Sequence, residues 1–167
     1  MTLGLSLSAF TQFHVVLSLI GIVSGFVVML GLLTRRRLEA WTAVFLVTTV
    51  LTSVTGFGFP FHGKLEPPHI VGIVSLVVLA IAIAARYGFH LAGGWRRTYV
   101  ISAVIALYLN VFVAVVQAFQ KIPALHVLAP KQSELPFVAT QLAVVTLFIV
   151  MAVFASSRFR LETVHTA

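Results

Sequence analysis

Apolar residues occupy this chain in five long runs, separated by short polar breaks. Each run is long enough to cross about 30 Å of hydrocarbon as a helix. The pattern predicts helices over 10–33, 40–59, 68–87, 98–119 and 136–157. The first run stops at Arg35-Arg36-Arg37, and the third starts at the Pro67-Pro68 pair, where proline suits a first turn. Ser133 or Glu134 is the expected cap of the fifth. The second run is rich in threonine and is the least apolar of the five. No polar stretch is long enough for a separate soluble domain, so residues 1–167 read as one transmembrane helical domain.

Composition supports this reading. Of the 167 residues, 60% are hydrophobic and 9% charged, with a mean hydropathy of +1.09. A soluble domain carries about 25% charged residues; this chain lacks the polar surface to cover a water-facing globule. The expected fold class is an all-α integral membrane bundle of five helices, with the lipid bilayer as its first partner. Met1 to Ala9 carry no Lys or Arg, unlike the start of a secretory signal, so the first run is expected to be a retained helix.

The net charge of +7 does not point to nucleic acid, because of where the charges fall. Arg35, Arg36, Arg37, Arg86, Arg96, Arg97, Arg158 and Arg160 lie on one side of the five-helix layout. Lys64, Lys121 and Lys131 lie on the other. The excess of positive charge predicts that the arginine side is cytoplasmic, with the N-terminus outside and the C-terminus inside. The expected location is a bacterial inner membrane.

Polar residues inside the runs are the informative ones, because hydrocarbon penalises them. His14, Ser18, Gly21 and Gly25 share one helix face. Gly21 and Gly25 form a small-xxx-small pair that admits a neighbouring helix or a second subunit. Thr48, Thr52 and Thr55 share a face of the second helix and are expected to bond their own backbone. Asn110 and Gln117 share a face of the fourth helix, and Gln141 lies near the start of the fifth. Buried amides need partners, so these are expected to meet across the bundle.

Four of the six histidines gather at the outer side: His14, His62, His69 and His126. His90 and His165 fall on the arginine side. Residues 61–69 read His-x3-Glu-x2-His through His62, Glu66 and His69. Imidazole and carboxylate are ligand types for zinc, copper and iron. Two histidines at matching depth, His14 and His69, also suit the axial positions of a b-type haem. Phe10, Phe13, Phe57, Phe59 and Phe61 either form an aromatic interface band or wall a flat cofactor. His14, His62, Glu66, His69 and His126 are therefore the candidate metal ligands. Gln117 and Gln141 are the candidate partners that orient a ring nitrogen.

The functional expectation is a transition-metal or haem site near the outer face, with redox chemistry as one use. The competing reading is a non-catalytic membrane subunit or assembly factor, which needs only packing faces and a membrane-protein partner or second copy. A transporter ranks below both, because Glu39, Glu66, Glu134 and Glu162 all lie outside the spans. The chain has no cysteine and no aspartate, which removes thiolate sites and most catalytic triads. No HExxH or GxSxG motif is present.

Overall fold

The computed structural model describes residues 6–59 and 67–159. Among these described residues, five helices are long and apolar enough to cross a membrane. They are α1 (Leu7–Leu33), α2 (Glu39–Gly56), α3 (Pro67–Ile83, continued by a single π-helical turn, Ala84–Gly88), α4 (Trp95–Lys121) and α6 (Leu135–Arg158). A short helix, α5 (Pro123–Leu128), lies between α4 and α6. At 1.5 Å per residue, the 18 residues of α2 reach about 27 Å, near the lower limit for a span, whereas the 27 residues of α1 and α4 overshoot.

Local chemistry explains the helix ends. Ser6 caps α1 by accepting the Ala9 N–H. At the other end Arg35 adopts a left-handed conformation, φ 61°, and the Arg36 N–H bonds back to the Gly31 carbonyl. This closure satisfies carbonyls that a helix end leaves open. Pro67 opens α3 as its motif predicts. Glu134 precedes α6, but its carboxylate accepts the Lys131 and Ser133 N–H groups and does not cap the helix.

α1, α2, α3 and α4 form a ring in which each packs on the next, with α1 also on α4. α6 lies outside the ring against α4 and α1. Only Phe148 and Ala155 of α6 are buried, Val144, Met151 and Ala152 pack partly against the core, and its outer apolar side chains are exposed.

The expected glycine face is where the ring closes. Gly21 and Gly25 are both buried. A Cβ on Gly25 would lie 2.5 Å from Leu107 Cδ1 and 2.9 Å from Phe45 Cε2. A Cβ on Gly21 would lie 3.2 Å from Thr49 Oγ1 and 3.3 Å from Asn110 Nδ2. Small residues are what let these helices approach. The threonines of α2 behave as their spacing predicts: Thr48, Thr52 and Thr55 donate to Val44, Thr48 and Leu51 carbonyls at 2.7–2.8 Å.

The buried amides do not meet one another. Asn110 donates to Thr49 Oγ1, and Gln141 Nε2 donates to the Phe112 carbonyl. The α4–α6 connection is tied down at both ends. Gln132 donates to the Val116 carbonyl at 2.9 Å and Phe119 packs edge-on against Phe137. The segment is thus a pinned connector with one helical turn and a half exposed on it.

Candidate functional site

Histidine and charged side chains of the ring stand at its two ends. At the histidine end, α1 presents His14, half-buried, to the last turn of α2. Its Nδ1 lies 2.8 Å from Thr55 Oγ1. Thr55 has one hydroxyl hydrogen, and the Leu51 carbonyl lies 2.7 Å from its oxygen. When that hydrogen is given to the Leu51 or Thr52 carbonyl, Oγ1 accepts from His14 Nδ1–H. A neutral ring in that tautomer carries its lone pair on Nε2. The ring edge also stacks on Phe59, with centroids 5.2 Å apart, and Phe59 in turn packs against the buried Phe10.

His69 sits in the first turn of α3 and is buried. Its ring lies 5.9 Å from that of Phe57. Both histidines thus touch the stretch Thr55–Phe59 at the end of α2, one from α1 and one from α3. Their shared depth follows from that. Gly72, one turn into α3, gives Phe57 room: a Cβ there would lie 3.1 Å from Phe57 Cζ.

The other expected ligands are placed differently. His126 is exposed on α5. His62, Glu66 and Phe61 lie outside the described residues. Among the described residues no three His, Cys, Asp or Glu side chains form a group that holds a metal ion. Gln117 is half-buried on α4, and Gln141 Nε2 donates to the α4 backbone while its buried Oε1 has no hydrogen-bond partner. The residue that orients the His14 ring is Thr55, whose spacing had pointed only to helix packing. A partner 41 positions away leaves no local trace.

The arginine end holds a second cluster that charge counting treats only as topology. Arg86 lies in the π-helical turn with its side chain 5% exposed. Its Nη2 donates to the carboxylate of Glu39, the first residue of α2. The guanidinium lies over the ring of Tyr99, 5.2 Å from the centroid, and near that of Tyr87 at 5.6 Å. The π turn widens the helix, and His90 and Leu91 then take left-handed conformations at φ 49° and 60°. Phe89 stacks flat on Trp95, 3.8 Å between centroids, and closes the turn into α4. An open cleft of about 210 Å³ lies between Arg37, Glu39, Arg86, Tyr87, His90 and Leu91. The sequence signal for this cluster is a lone arginine inside the end of an apolar run, where a charge needs a partner.

Compared with known families, curated proteins and solved structures, the chain shows no significant match to any of them.

Proposed function

We propose that this chain is a small integral membrane protein whose histidine end binds a transition metal ion (copper, iron or zinc) or a b-type haem. His14 and His69 are the central ligands, with redox chemistry as the use of bound iron or copper. The observation that carries this reading is the Thr55–His14 hydrogen bond. Protein metal sites use such a bond to fix the ring and direct the unprotonated nitrogen at the metal. With Nδ1–H donating to Thr55, His14 Nε2 is that nitrogen. The enclosed His69 at the same depth supplies the second imidazole, and Phe10, Phe57 and Phe59 supply apolar walls. His62, Glu66 and His126 complete the proposed ligand set for an ion.

The test is an absorption spectrum with elemental analysis of protein purified without a polyhistidine tag, for wild type, His14→Ala and His69→Ala. The expected result is bound metal or haem in wild type and loss in both variants. An empty wild-type protein under metal-replete, haem-replete conditions, or full retention in both variants, rejects the reading.

The lipid-facing surface of α6 favours a second reading, a non-catalytic subunit or assembly factor. Leu142, Ile149 and Val153 are 59–61% exposed along one side. A membrane-protein partner or a second copy seated there would appear as a larger particle in mild detergent.

A further inference from the structure

We propose that the cleft at the arginine end binds a phosphate group, the chemistry shared by a phospholipid headgroup and free inorganic phosphate. The site is independent of the histidine end and lies at the opposite pole of the bundle.

The cleft is lined by three basic side chains, Arg37, Arg86 and His90, against one carboxylate. That carboxylate, Glu39, is already committed to Arg86. The remaining charge is positive and selects an anion. Arg86 is the built element. It is almost fully enclosed, yet its Nε has no hydrogen-bond partner. A guanidinium offers five donors in a planar fork that matches the oxygens of a phosphate. The rings of Tyr99 and Tyr87 hold that fork in place.

Size and position agree with this ligand. The cleft, about 210 Å³, has room for a tetrahedral anion with part of its hydration shell. Arg35, Arg36, Arg97 and Arg158 lie exposed at the same helix ends, where spans give way to water. In a bilayer that is headgroup depth. The left-handed turn at His90 and Leu91 brings His90 onto the rim beside Arg37.

The experiment uses the full chain in a maltoside detergent, which contains no phosphate. The probes are phosphatidylglycerol, diacylglycerol with the same tails, and inorganic phosphate. Lipid retained per protein is read by native mass spectrometry, and free phosphate binding by phosphorus NMR line broadening. The variant is Arg37→Gln with His90→Asn. Both positions are exposed, and asparagine tolerates the left-handed backbone at 90. Circular dichroism confirms that the variant folds.

The expected result is one retained phosphatidylglycerol, little diacylglycerol, and at least a tenfold weaker affinity in the double variant. Line broadening by inorganic phosphate without lipid retention supports the same site with free phosphate as its source. Equal retention of diacylglycerol, equal binding by the variant, or no binding of either phosphate probe overturns the proposal.

Discussion

Asn110 of α4 donates its side-chain amide to Thr49 Oγ1 of α2 at 3.3 Å, across the middle of the ring and directly over Gly21 of α1. Three helices meet at that point, and the glycine is what leaves the bond its space. The same face narrows further at Gly25. Gly25→Ala is expected to cost about 1–3 kcal/mol, because the new methyl group must displace Leu107 and Phe45 in a packed core. Gly21→Leu is expected to cost more, since it also separates Thr49 from Asn110. Unfolding of the purified variants in detergent measures both. Wild-type stability in the two would show that this face looks onto lipid.

Arg86 and Glu39 are unequally exposed, at 5% and 64%. Removing Glu39 alone leaves the enclosed Arg86 guanidinium without its counter-charge, which is more damaging than replacing both. Glu39→Gln is expected to destabilise by about 1–3 kcal/mol, below the range for a fully buried pair because solvent screens Glu39. The double variant Glu39→Gln with Arg86→Met is expected to recover part of that loss. A double-mutant cycle on thermal unfolding reads the coupling; additive effects would mean that the pair contributes nothing.

If the histidine end holds a metal, Thr55→Val removes the hydroxyl that orients His14 while keeping the side-chain shape. The expected effect is a 10- to 100-fold loss of metal affinity, typical of removing an orienting partner, without loss of the helix. Competitive chelator titration of wild type and variant measures it. Acidification is expected to release the metal too, because a protonated imidazole has no lone pair to give. Unchanged affinity in Thr55→Val would assign the Thr55–His14 bond to helix packing alone.

The charge bias predicts which pole faces which side. The chain has no cysteine, so single cysteines report cleanly. Lys131→Cys is expected to react with an impermeant reagent added from outside, and Gly94→Cys only after the membrane is opened. The reverse labelling pattern would invert the topology and place the histidine end in the cytoplasm.

The five spans were legible because each depends on one stretch of chain. Helix ends agreed best where a local signal stood: α1 ends at Leu33 as expected before Arg35–Arg37, and α3 starts at Pro67 in the Pro67-Pro68 pair. α2 ends at Gly56, short of the expected 59, because Phe57 and Phe59 leave the helix to pack on His69 and His14. The Gly21–Gly25 notch was equally readable, since spacing alone puts both on one face. The short helix α5 is marked only by Pro123 at its start, and its six residues leave no periodicity to read, while nothing in an apolar run marks the π turn.

Length, apolarity, proline starts and arginine stops determined a five-helix membrane bundle from the sequence alone, because a helix in hydrocarbon satisfies its backbone within itself. The partners of its polar side chains had to wait for the tertiary structure. His14 meets Thr55 across 41 positions, Glu39 meets Arg86 across 47, and Thr49 meets Asn110 across 61. Periodicity says which face of a helix a residue occupies, but not which neighbour packs there. That choice follows from the order of helices around the ring, set by close packing at Gly21 and Gly25. It turned Thr55 from a packing residue into the partner of His14, and Arg86 from a topology marker into the centre of a cleft.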